Sequence, residues 1–91
     1  MILLPVFEFE EAKSRANAEK HGIDFHEAQE PWLDPDLLRA PARSTVERRF
    51  LFVGMIDDRH GSAVATYRGS VVRLISVRRA RPQEVAEYGR E

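Results

Sequence analysis

An α+β fold is expected of these 91 residues, and three features carry the expectation. A short apolar run at the N-terminus precedes a stretch rich in Ala, Glu, Lys and Arg. From Arg48 onward three apolar runs alternate with turn residues, and a tail led by Pro82 closes the chain. The order is therefore an N-terminal strand and two helices, an antiparallel meander sheet, and a short C-terminal helix. The length suits a single domain over residues 1–91, with a modest core, and is too short for two.

Leu3 to Glu8 reads as the first strand, with Pro5 restricting it to an edge or a short pairing. The EEAKSRANAEKHG segment favours a helix, with acids in its first turn and Gly22 as the left-handed residue after its end. Its apolar content is thin: Ala12, Ala16 and Ala18 predict a close-packed surface helix with one small-residue face. Asp24 and Glu27 resemble a capping box opening a second helix, on which Phe25, Ala28, Gln29 and Trp32 share a face. Pro31 removes an amide donor there and either kinks or ends that helix. The DPD at 34–36 is a turn, and Leu37 to Ala42 a short strand.

The meander follows as RRFLFVGMI, then the turn DDRHG, then SAVATY, then RGS, then VVRLISV. Pro82 suits the first turn of the terminal helix, with Val85 and Tyr88 facing inward. Counted with period two, Val71, Arg73, Ile75, Val77 and Arg79 point one way, and Val72, Leu74, Ser76, Arg78 and Ala80 the other. Arg78 is then the better phosphate ligand, while Arg73 and Arg79, on the opposite face, are left to salt bridges.

Charge is nearly balanced overall, at a formal −1, but segregated along the chain. Residues 1–38 hold nine acids against Lys13, Arg15 and Lys20, whereas residues 59–82 hold six arginines and no acid. Fields act locally, so the basic sheet suits a polyanion or an acidic protein partner; its rival is internal neutralisation by the acidic helices. Cysteine is absent, which excludes disulfides and thiolate metal sites. His21, His26 and His60 are scattered without metal-ligand spacing, and the five glycines sit singly, so neither a metal nor a nucleotide phosphate loop is expected. The N-terminal run lacks the basic flank and cleavage site of a signal peptide, and no apolar stretch is long enough to span a bilayer. A cytoplasmic protein without membrane or cofactor is expected.

Arginines, histidine and lysine without a metal are the kit for cleaving RNA by attack of the ribose 2′-hydroxyl. That reaction needs a base for the hydroxyl, donors for the phosphorane oxygens and an acid for the departing 5′-oxygen. The planar arginine fork supplies the donors. His21 exchanges protons near neutral pH and suits base or acid, Lys20 adds positive field, and Tyr67 beside Arg68 suits stacking of a base. Each residue has a plainer role open to it. His21 caps the last carbonyls of its helix, Arg73 and Arg78 pair with acids, Arg49 is a strand-end charge, Tyr67 a cross-strand packing residue and Trp32 core or interface.

Phe9, Glu10, Lys13, Asn17, Lys20-His21-Gly22 and Phe25-His26-Glu27-Ala28 together resemble the opening of the BrnT toxin family. Arg49 five residues before Gly54, TYRG at 66–69 and VRLISVRRA at 72–80 resemble its later signatures. The resemblance implies a RelE-like fold and a type II toxin: a metal-free endoribonuclease that degrades mRNA and inhibits translation. It also implies a BrnA-like ribbon-helix-helix antitoxin as partner, with operator DNA contacted only through the toxin–antitoxin complex. Carried over by motif, His21, Arg49 and Arg78 are the catalytic candidates, with Lys20 and Arg73 behind them as RNA-binding ones, to which the reading of the residues themselves adds Tyr67 and Arg68. Pro31-Trp32, Tyr67 in place of an acid, and Pro82 with Gly89 in the tail depart from the pattern; the missing acid leaves Arg68 without a neighbour. A non-catalytic basic module that holds an acidic antitoxin segment is the alternative function.

Overall fold

In the computed structural model, which describes residues 4–44 and 47–89, the meander is β3 (Arg49–Ile56), β4 (Arg59–Arg68) and β5 (Val71–Arg79). These pair antiparallel in sequence order, and β2 (Leu38–Ala42) adds to the far side of β3. Asp57 takes up the left-handed turn between β3 and β4 at φ 57°, a conformation Asp tolerates better than branched residues. The turn is only Asp57-Asp58, so His60, expected in it, lies within β4.

β1 (Phe7–Glu8) is shorter than the expected strand, whose Leu3 lies outside the described residues, and pairs parallel to β5. The sheet is thus mixed, in the order β1-β5-β4-β3-β2. Before Phe7 the pairing reduces to one bond, from the Val72 amide to the Val6 carbonyl at 2.9 Å, since Pro5 has no amide to extend it.

α1 (Glu11–His21) ends as expected on Gly22, at φ 74°, whose amide donates to Ala18. Its docking face is not the alanines: Ala12 and Ala16 are exposed, and the buried residues are Ser14 and Asn17. Ser14 Oγ accepts the Phe25 amide at 2.9 Å. Asn17 Nδ2 donates to the carbonyls of Ile23 (2.7 Å) and Val77 (2.8 Å), and its Oδ1 accepts the Val77 amide at 3.2 Å. A small polar face is sufficient because α1 meets backbone that would otherwise be buried unpaired.

The expected capping box forms: Asp24 Oδ1 accepts the Glu27 amide at 2.8 Å, and Glu27 Oε1 accepts the Asp24 amide at 3.1 Å. The helix it opens, Glu27–Leu33, is a 3-10 helix containing Pro31. Pro31 is buried against Gly54 of β3, where a Cβ would come within 2.8 Å of the proline Cβ. Glycine at that position is a packing requirement.

Ile23, Phe25 and Ala28 cover one face of the sheet, burying Phe52, Ile56, Ala63, Ala65, Val72, Leu74 and Val77. Trp32, half-buried, joins this core edge-on to Phe7 and tilted against Phe52, at ring distances of 5.1 and 4.5 Å. Full burial of Phe25 contributes about 2–3 kcal/mol by area removed from water. On the other face sits α2 (Pro82–Tyr88), with Pro82 in its first turn; Arg90 and Glu91 of the tail lie outside the described residues. None of its residues is fully buried, though Val85 and Tyr88 are half-buried. No helix among the described residues is long and apolar enough to cross a membrane.

Candidate functional site

A β-bulge in β5 decides which arginines share a surface. Val64 pairs with Ser76 and Ala65 with Leu74, so Ile75 has no partner and the alternation shifts by one residue. Val72, Leu74, Val77 and Arg79 therefore belong to the helix-covered face. Arg73, Ser76 and Arg78 belong to the other, which corrects the separation of Arg73 from Arg78 that counting by two gives. By register Arg68 on β4 and Arg49 on β3 project from that same face. Four arginines from three strands thus share one surface.

Three of them gather at one end. Arg73 Nη1 and Nη2 lie 3.4 and 3.6 Å from carboxylate oxygens of Glu8 and Glu10, Arg68 Nε 3.6 Å from Glu8, and Arg49 Nε 3.3 Å from Glu47. Glu8 supplies the neighbour that Arg68 was expected to lack. These are long contacts; those of Arg49 and Arg68 are solvated and worth at most about 1 kcal/mol each, so an anionic ligand displaces them at little cost, whereas the Arg73 side chain is only 23% exposed.

Arg78 stands about four strand steps away, roughly 13 Å, and is held differently. Its Nη1 and Nη2 meet Oε1 and Oε2 of Glu84 on α2 at 2.8 and 2.9 Å, a bidentate fork. Glu84 Oε1 also accepts from Ser62 Oγ at 2.8 Å and from the Arg81 amide at 2.9 Å. Hydrogen bonding from Arg78 outweighs burial and pushes the Glu84 carboxyl down to about 2; the same bond raises Arg78.

Beside this clamp the face carries a second polar group. Tyr88 Oη donates to Asp34 Oδ2 at 2.6 Å, and the Met55 amide donates to the same oxygen at 2.9 Å. Burial pushes the Asp34 carboxyl up. Hydrogen bonds from Tyr88 and from the Asp36 and Met55 amides, with the charge of His60, prevail and leave it below its ordinary value. The Tyr88 hydroxyl is pushed up to about 12 by the same bond. The His60 ring packs edge-on to Tyr88, centroids 4.9 Å apart.

The remaining sequence candidates lie elsewhere. Lys20 and His21 occupy the exposed last turn of α1. Glu10 at Arg73 and Asn17 at Val77 show that α1 runs along β5, which carries this turn toward the Arg78 end, but no side-chain contact joins His21 to Arg78 among the described residues. Tyr67 is 40% exposed on the helix-covered face, its ring 5.4 Å from Phe50 and 6.3 Å from Phe52. It does not share the surface of its neighbour Arg68. Asp34, His60, Glu84 and Tyr88 are functional candidates that sequence reasoning did not find; the one signal for them was an acid following Arg78 in the first turn of a helix. No cluster of three metal-ligating side chains occurs among the described residues.

No curated protein matches the chain. A family model described as the ribonuclease toxin BrnT of a type II toxin-antitoxin system matches residues 9–84, which hold both the arginine surface and the Arg78–Glu84 clamp. With most of its length in that match, the chain belongs to the BrnT family of ribonuclease toxins of type II toxin-antitoxin systems.

Proposed function

We propose that this chain, acting as one domain in the cytoplasm, is an endoribonuclease that cuts mRNA internally without a metal ion and so inhibits translation. The observation that supports it best is the common surface of Arg49, Arg68, Arg73 and Arg78, three of them held only by long ion pairs of 3.3–3.6 Å. A row of such guanidiniums follows the phosphates of an extended strand, each fork meeting two oxygens. In this reading Arg78 stabilises the phosphorane, Arg49 holds the strand at the far end of the surface, and His21 moves a proton. Lys20, Arg68 and Arg73 contact the backbone. A BrnA-like ribbon-helix-helix antitoxin neutralises the chain by laying an acidic segment where RNA binds, and operator DNA is met through that complex.

Purified protein is to be incubated with single-stranded RNA in EDTA, with and without ribosomes. Cleavage is expected, and its loss in Arg78→Ala combined with His21→Ala, both still folded. Cleavage undiminished in that variant discards the site. A non-catalytic module holding an acidic segment is favoured by one feature, the occupation of the Arg78 fork by Glu84. RNA left intact under both conditions, with antitoxin binding retained, selects it.

A further inference from the structure

Resting on the ribonuclease reading, we propose that His60 is a further catalytic residue, the acid that protonates the departing 5′-oxygen of the RNA. The sheet register brings it to the phosphate ligand. Ser62 lies opposite Arg78, and His60, two residues earlier on the same strand and face, lies opposite Ala80, its carbonyl accepting the Ala80 amide at 3.1 Å. His60 and Arg78 are therefore diagonal neighbours, roughly 7–8 Å apart at the backbone. Side chains of that separation reach one phosphodiester, with the imidazole at the ester oxygen and the guanidinium, exchanging Glu84 for phosphate, on the non-bridging oxygens.

The ring is also oriented. Tyr88 packs against it at 80°, and Tyr88 is itself fixed by its hydrogen bond to Asp34. No protein group among the described residues takes a hydrogen bond from either ring nitrogen of His60.

The step balances within the RNA. The 2′-oxygen bonds to phosphorus as its proton passes to the base, the role left to His21, and the bond from phosphorus to the 5′-oxygen breaks. The electron pair of that bond takes the proton of His60. The products are a 2′,3′-cyclic phosphate and a 5′-hydroxyl, and the neutral imidazole is reprotonated by water.

A leaving group that needs no proton isolates this role. Cleavage by the wild-type chain is first mapped on a long single-stranded RNA, and an oligonucleotide carrying the mapped site is made with either the ordinary 5′-oxygen or a bridging 5′-sulfur. His60→Gln is expected to cut the oxygen substrate at least about 100-fold more slowly than wild type, and the sulfur substrate at nearly the wild-type rate. The second rate also shows that the variant is folded. Unchanged cleavage of the oxygen substrate, or equal slowing on both, overturns the assignment of His60 while leaving the ribonuclease reading in place. A wild-type chain that cuts neither substrate overturns that reading, and the role of His60 with it.

Discussion

Replacing Glu84 by Gln keeps the shape of the side chain and removes the charge that Arg78 grips. The Glu84 carboxyl stands at about 2 against an ordinary 4.5, a difference worth about 3 kcal/mol if the pair were wholly shielded. With 25% of the Arg78 side chain and 12% of the Glu84 side chain exposed, solvent screening reduces this to about 1–2 kcal/mol. Because the folded carboxyl is depressed, its contribution is complete above the ordinary value and is lost as pH falls toward about 2. Glu84→Gln is therefore expected to melt about 4–15 °C below wild type at neutral pH. The gap should persist down to about pH 5 and close below it. Thermal melts of both proteins across that range check it. Equal melting temperatures at neutral pH, or a gap as wide in acid, would refute the assignment of this stability to a charged clamp.

Three further outcomes are expected. Asn17→Ala leaves the amide and carbonyl of Val77 without their side-chain partner and should cost about 2–3 kcal/mol, with faster hydrogen exchange at Val77 as the specific readout; unchanged exchange there contradicts the described docking of α1. Gly54→Ala forces a methyl group against Pro31 and should destabilise by about 1–3 kcal/mol in denaturant titration, whereas a neutral effect means that the 3-10 helix is not seated there. Binding of a 2′-O-methyl oligonucleotide, which cannot be cleaved by 2′-hydroxyl attack, should depend on salt. Arg68→Ala should lower the slope of log K against log salt by about 0.7, and an unchanged slope removes Arg68 from the phosphate track.

Signals confined to a few neighbouring residues were the legible ones. Gly22 closing a helix, Asp24 and Glu27 opening the next, and apolar runs bounded by Asp57-Asp58 and Gly69-Ser70 all name their own structures locally. The arrangement of arginines was not legible, because counting by two fails across an irregularity, and nothing in VVRLISVRR announces that Ile75 is skipped. The polar seat of α1 was hidden for a different reason: the partner of Asn17 is sixty residues away, and an asparagine reads locally as a weak helix former. Tyr88 and Asp34 are separated by 54 residues, so their pairing is a product of the fold. His60 was misplaced by two residues of turn. That small error in a boundary concealed its position beside Arg78.

The side-chain amide of Asn17 turns one N–H and its oxygen toward Val77, the same pair that a peptide unit offers. Set against both backbone groups of Val77, it stands where the next strand of a sheet would begin, so α1 closes that flank beyond the short stretch taken by β1. At the opposite flank β2 contains Pro41, which has no amide to give to an incoming strand. The sheet is finite on both sides. Both flanks are thus poorer templates for an incoming strand than a bare sheet edge.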